Sequence, residues 1–452
     1  MDKPQLKRKY GIFTAIAMVI GVVVGSGVFF KAESVLTATN GDVRTGVAAW
    51  VLVGLVMIIC AGTFAILAGQ HERATGMVDF ADVVVGSDFS FFLGWFMATI
   101  YYPSLTAILA WITSRYICVF FGTSDLFGGT AILFTAFTLI LLFVINSLAP
   151  KFSGRMQVVS TAAKLLPLVC MAVFGTISGM QSGMFFRNFY TATPATTGSG
   201  GLLAAMISVA FAYEGWVVAT SINGELKNAK RNMPLSLVCG TMVIMIIYIF
   251  YYIGLTGAVT TETLMESGHQ GAFLAFEKIF GTGMGTAVFA LIVVSCFSTC
   301  NGLCVANSRA LYALAARKHL PASFAALDPH SNMPLTSSTL SMLLAMVWLV
   351  HFYGSHIEIP WFPNAFCFDS SELPIITLYA FYIPIFFCMM KKERGLSAFA
   401  RYIMPLLAIL CCLLMVAVCV VVHRSQMTGY LIIFALDMGA GALILHKRKK
   451  LP

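Results

Sequence analysis

The sequence predicts an all-α polytopic membrane protein of about twelve transmembrane helices with no separate soluble domain, and three observations carry that expectation. Hydrophobic residues make up 59% of the 452-residue chain and charged residues 10%, against about 25% charged in a soluble domain; mean hydropathy is +0.87. Apolar runs close to the ~20 residues needed to cross a bilayer recur between polar or Gly/Pro-rich breaks. Basic residues cluster at alternate breaks.

Taken in order, the spans run roughly 12–36, 47–70, 89–120, 130–148, 156–178, 201–221, 233–259, 284–312, 335–353, 366–390, 402–422 and 427–446. Span one follows Lys3, Lys7, Arg8 and Lys9 but is too long for a signal-peptide core and lacks a small-residue cleavage site. Spans three and eight are long enough to tilt. Span five contains Lys164, and span six contains Glu214 and Gly215. Cysteines such as Cys60, Cys170, Cys296, Cys300, Cys411 and Cys412 lie inside apolar runs without metal-ligand spacing, so they read as small buried hydrophobes. Cys296, Cys300 and Cys304 share a helix face and read as packing, with no metal expected.

Charge orients the spans. With the N-terminus inside, most of the 28 Lys and Arg fall on one side: the N-terminal cluster, Arg73, Lys151/Arg155, Lys227/Lys230/Arg231, Arg309/Arg317/Lys318, Lys391/Lys392/Arg394/Arg401 and Lys447/Arg448/Lys449/Lys450. Lys31, Arg44, Arg115, Arg187, Lys278 and Arg424 fall on the other, and Lys164 lies within a span. This asymmetry places both termini in the cytoplasm of a plasma (inner) membrane protein. The net charge of +9 therefore reports topology; no basic patch with interleaved aromatics supports nucleic-acid binding.

Two spans are interrupted at mid-depth. Span one carries Val24-Gly25-Ser26-Gly27-Val28; span six carries Ser208-Val209-Ala210-Phe211-Ala212-Tyr213-Glu214-Gly215-Trp216. A Gly-rich helix-packing face is the plain reading of the first, since Gly21 and Gly25 form a small-xxx-small pair. The interruptions open two consecutive five-span sets, however. Five is odd, so the second set enters the membrane from the opposite side and the repeats are inverted, one over about 12–178 and the other over about 201–390. Broken helices at matching positions of inverted repeats point to a central transport site.

Gly25-Ser26-Gly27-Val28-Phe29 resembles the GSG signature of the amino acid–polyamine–organocation (APC) permeases. Phe211 to Trp216, followed by Gly224-Glu225-Leu226-Lys227-Asn228 and Pro234, is similar to the L-type amino acid transporter (LAT) branch. So is Asn301-Gly302 with Ser308-Arg309-Ala310-Leu311-Tyr312-Ala313-Leu314-Ala315, Leu320-Pro321 and Pro334. The resemblance covers spans one to ten in register and the last two by count. It implies the LeuT-type five-plus-five fold and transport of amino acids without chemical change. Departures fall at Ala65 to Glu72 and Thr75 to Ala81, where the branch shows Ala-Glu-Leu and Gly-Gly-Glu-Tyr. Animal LAT-type subunits carry a cysteine in the loop after span three for a disulfide to a glycoprotein; the loop Gly122–Gly129 has none, and Cys118 lies in the span. A stand-alone subunit resembling bacterial members is expected, with no disulfide-linked heavy subunit and no cofactor.

The residues themselves suggest how an α-amino acid binds. The N–H groups of Gly25, Ser26 and Gly27 and the Ser26 hydroxyl suit a carboxylate at the positive end of a half-helix. Carbonyls of Val22 and Val23, and of Phe211 and Glu214, suit the ammonium. Phe211 resembles the aromatic that gates the family's site, against a plain packing role. Tyr101, Ser104, Cys296, Ser370 and Ser371 are the side-chain pocket candidates. An intramembrane ionisable group is costly and functional by default, and the resemblance implies that Lys164 takes the place of Na⁺ in sodium-coupled relatives of the fold. As a fixed cation it removes the need for sodium; as a lysine that deprotonates it carries a proton instead; snorkelling is the bland alternative. The expectation is sodium-independent exchange of neutral L-amino acids such as Ala, Ser, Thr and Cys, the alternative being proton-coupled or exchange transport of cationic amino acids or polyamines. No nucleophile–base pair, GxSxG, HExxH or cofactor fingerprint supports an enzyme.

Overall fold

In the computed structural model the described residues are 11–71, 76–123, 128–190, 201–356, 363 and 366–449; Arg73, the N-terminal basic cluster and Lys450 lie outside them. Among the described residues the chain is helical without a strand. Among the described residues eleven helices are long and apolar enough to cross a membrane, twelve if Ile12–Val23 and Gly27–Ala38, bent by 51°, form one span. The others are Val43–Gln70, Ser87–Phe120, Gly129–Leu148, Pro150–Gln181, Gly201–Val218, Ala229–Ala258, Thr282–Ala316, Leu335–Ser355, Leu373–Lys392, Phe399–Val422 and Met427–Arg448. Each matches a predicted run. Leu133, Phe137, Ile140 and Val144, spaced three and four apart on span four, are exposed, the apolar stripe that a lipid-facing helix needs.

The largest differences from expectation are local. Span ten begins at Leu373, about two turns after the predicted 366, because Asp369 accepts hydrogen bonds from the Ser371 N–H (2.6 Å) and hydroxyl (2.5 Å) and forms a turn there. Ser370 and Ser371 therefore precede the span instead of lying in it. After the break, span six continues as a 3₁₀ segment, Trp216–Glu225, past the predicted end at 221. Helices Thr261–Ser267 and Gly271–Phe280 occupy the connection before span eight; the predicted spans left it without structure.

Proline shapes span three. Pro103 has no N–H for the Thr99 carbonyl four residues back. The helix widens into a π-turn at Met97–Tyr101, and the Trp348 indole N–H donates to the Thr99 carbonyl instead, at 2.9 Å.

The chain forms two compact units. The first comprises Met1–Ser90, Leu168–Thr282 and Ile376–Val422, so it holds spans one, two, six, seven and eleven, the end of five and most of ten. Its core is aromatic: Trp50, Tyr213, Tyr248 and Tyr252 on one side, Phe64, Trp216, Tyr379 and Tyr382 on another, all buried. Tyr213 and Tyr248 stack at 5.3 Å, and the Tyr213 hydroxyl donates to the Trp50 carbonyl. Spans five and seven cross where Gly175 faces Gly254 and Gly179 faces Gly257; a Cβ on Gly254 would lie 2.1 Å from the Met171 carbonyl oxygen. The second unit comprises Phe91–Pro167, Gly283–Ile375 and His423–Pro452, which holds spans three, four, eight, nine and twelve and most of five.

Candidate substrate site

In the first unit the break in span one is built by its sequence. The first half-helix ends where Val24 donates to the Ile20 carbonyl at 2.8 Å and then turns extended, with ψ 108°. The second begins where Phe30 donates to the Ser26 carbonyl at 3.1 Å. The N–H groups of Gly27, Val28 and Phe29 thus open a helix and have no acceptor within it. Ser26 is the N-cap residue, but its hydroxyl makes no capping bond. That hydroxyl is fully buried and has no hydrogen-bond partner among the described residues. An unpartnered buried hydroxyl costs about 1–3 kcal/mol, and here it sits among helix N-terminal amides, where anions bind.

The break in span six lies against it. Tyr213 donates to the Val209 carbonyl and Glu214 to the Phe211 carbonyl, and Gly215 adopts φ +104°. Only glycine takes that backbone readily, and the Val22 carbonyl oxygen lies 3.6 Å from where a side chain would start. Gly27 is equally constrained: a Cβ there would meet the Ala212 Cα at 2.9 Å and the Phe211 ring at 3.5 Å. The two breaks touch backbone to backbone.

Not every expected ammonium acceptor is free. The Val23 carbonyl already accepts the Tyr248 hydroxyl at 3.1 Å, and the Phe211 carbonyl takes the Glu214 N–H at 3.3 Å. A carbonyl has two lone pairs, so each keeps one acceptor site. Sequence reasoning missed Tyr248. The aromatic run of span seven, with Tyr248, Tyr251 and Tyr252, was its only signal.

Phe211 is buried, meets Phe30 edge-on at 6.2 Å, and has the Lys31 ammonium over its ring at 5.2 Å. Glu214 is half-buried and lies within electrostatic range of Cys60, Tyr379 and Tyr382. The Tyr382 hydroxyl is buried without a hydrogen-bond partner.

The second unit holds the remaining candidates. Tyr101 closes the π-turn of span three, and the Ser104 hydroxyl donates back to the Tyr101 carbonyl at 3.1 Å. Cys296 is buried on span eight. The Ser370 hydroxyl is buried and unpartnered, whereas that of Ser371 is committed to Asp369. Lys164 is 1% exposed, in electrostatic range of Cys296. One turn away on the same face, Ser160 hydrogen-bonds Ser298, which donates to the Gln157 side chain at 3.1 Å. Further along, Ser153, Asn146 and Asn301 bond one another. The polar faces of spans five and eight thus run together. A further ionisable residue within a span, Asp437 of span twelve, accepts the Thr99 hydroxyl at 2.9 Å; a carboxylate inside an apolar run was the signal for it.

The described residues thus form a multi-span helical protein with two touching helix breaks. The amino acid permease family model matches residues 10–444, and the chain belongs to that family. It is 28% identical over 406 residues to the serine/threonine exchanger SteT of Bacillus subtilis (strain 168), covering 89% of this chain and 87% of that one. It is 25% identical to the human cystine/glutamate transporter over 350 residues, 77% of this chain and 69% of the relative. To the human large neutral amino acids transporter small subunit 2 it is 25% identical over 366 residues, 77% and 67%. The chain is a multi-pass membrane transporter of amino acids, not an enzyme.

Proposed function

We propose that this permease exchanges small neutral L-amino acids (Ala, Ser, Thr, Cys) across the plasma membrane without sodium, with both termini in the cytoplasm and the two five-span repeats inverted. The observation that carries the reading is the Ser26 hydroxyl, buried and unpartnered at the start of a half-helix beside Gly27. It suits the substrate carboxylate, with the Gly25, Ser26 and Gly27 amides. The Val22, Val23, Phe211 and Glu214 carbonyls surround the ammonium, and Phe211 covers the site. Lys164 serves as a built-in cation where related transporters hold Na⁺. That one relative is a serine/threonine exchanger supports small substrates for this chain, and no heavy subunit is required.

The half-buried Glu214 carboxylate at the span-six break favours a second reading, transport of cationic amino acids or polyamines. Counterflow in proteoliposomes separates the two. Labelled serine or alanine should accumulate only into vesicles preloaded with small neutral amino acids, at the same rate with Na⁺ or choline outside. Strict dependence on Na⁺, or counterflow supported only by lysine, arginine or a polyamine, would overturn the neutral reading.

A further inference from the structure

Lys31 occupies an unfavourable place for a cation. It is 3% exposed and sits about one turn into the half-helix that begins at Gly27. That end of a helix is its positive end, where another positive charge is disfavoured, and a buried ammonium pays for lost hydration. Two aromatic rings of the breaks lie beside it. The ammonium lies 5.2 Å from the centroid of the Phe30 ring and 5.2 Å from that of Phe211. The rings themselves meet edge-on at 6.2 Å. A buried cation held at two ring faces is attracted more strongly than one at the surface.

The two rings belong to different elements. Phe30 is on the second half of span one, and Phe211 is in the last turn before the span-six break, packed against Gly27. The cation therefore lies between a ring of one break and a ring of the other.

We propose that Lys31 is the positioning residue of the gate: its ammonium holds the Phe211 ring over the site and has to disengage for that ring to swing away. This rests on the reading of Phe211 as the gate. A latch of this kind favours the closed ring position by its own interaction energy and nothing else. Removing it lowers the fraction of transporter in which substrate is covered, so affinity falls while the carrier still turns over.

The test is a double-mutant cycle on purified transporter in proteoliposomes, reading KM and maximal rate of counterflow. Lys31→Met keeps the apolar stem and removes the charge; Lys31→Gln is the second uncharged variant should Met not yield folded protein. KM should rise about tenfold with a change of less than about threefold in maximal rate. Lys31→Arg retains a cation able to stack on the rings and should restore KM to within about threefold of wild type. In a Phe211→Leu background the uncharged substitution should add less than about twofold, because its partner ring is gone. An unchanged KM in the single variant, or an equal rise in both backgrounds, overturns the role of Lys31. Wild-type kinetics for Phe211→Leu alone overturns the gate assignment instead, and the two failures are distinguishable.

Discussion

Replacing Ser26 by alanine separates a substrate-binding hydroxyl from a structural one. The Ser26 oxygen is fully buried and has no hydrogen-bond partner among the described residues. Removing it therefore breaks no hydrogen bond among them. It relieves a desolvation cost of about 1–3 kcal/mol, so thermal stability should be unchanged or higher. If the hydroxyl donates to the substrate carboxylate, the lost bond is charge-assisted and worth about 1.5–3 kcal/mol. That corresponds to about a 10- to 150-fold loss of affinity at 1.4 kcal/mol per decade. The measurements are counterflow KM in proteoliposomes and thermal unfolding of the detergent-purified protein, on the same preparation. Unchanged KM would refute the assignment. So would a fall in stability alongside the loss of transport, which would make the hydroxyl part of the fold.

Lys164→Ala should abolish most exchange, and Lys164→Arg discriminates between its two roles: arginine stays charged, so a fixed cation tolerates it and a proton carrier does not, as counterflow with and without a pH gradient would reveal. Glu214→Gln, tested with a competition panel against labelled serine, should leave neutral competitors effective; loss of cationic competitors alone supports the cationic reading, and loss of all transport with binding intact places Glu214 in the gate. At the turn between spans eleven and twelve, His423 lies 3.0 Å from Glu372 and 3.1 Å from Gln426. Burial opposes its charge, but the Glu372 hydrogen bond and the charges of Glu372 and Asp369 outweigh it and raise its pKa above the usual 6.5. The stabilisation is therefore complete below the unfolded value and lost as pH rises through the folded one. Thermal stability should fall by on the order of 1 kcal/mol from about pH 6 to pH 9, and Glu372→Gln should flatten that slope.

What was legible in the sequence follows from which forces are local. A run of apolar residues as long as a bilayer is thick has few alternatives to a helix, and the predicted spans recur with ends shifted by a few residues. The span-one break was legible because Gly25-Ser26-Gly27 concentrates residues that favour leaving the helix. The start of span ten was not, because Asp369 competes for the Ser371 N–H through its side chain, a contest that apolar periodicity does not register. Nor was the π-turn of span three: Pro103 announces an unpaired carbonyl, but Trp348, which satisfies it, is distant in the chain. Tyr248 and Lys31 escaped for the same reason. The phenol and the ammonium acquire meaning only from the Val23 carbonyl and the Phe211 ring that folding brings to them.

Gly27 shows why the two breaks have to be understood together. From sequence, its missing side chain reads as room for a ligand to approach the backbone. In the fold, the Ala212 Cα occupies that room, 2.9 Å from where a Cβ would stand. Gly215 answers it from the other chain segment, with a left-handed backbone whose missing side chain points toward the Val22 carbonyl. Gly27 thus gives the room that lets the two breaks meet, and Gly215 supplies the left-handed backbone at which span six breaks. A bulky residue such as leucine at Gly27 should abolish uptake, but by prising the breaks apart, with a loss of thermal stability that Ser26→Ala does not share. The pair of substitutions divides the region cleanly. Retained uptake and stability in Gly27→Leu would refute the contact between the breaks, independently of what Ser26 binds.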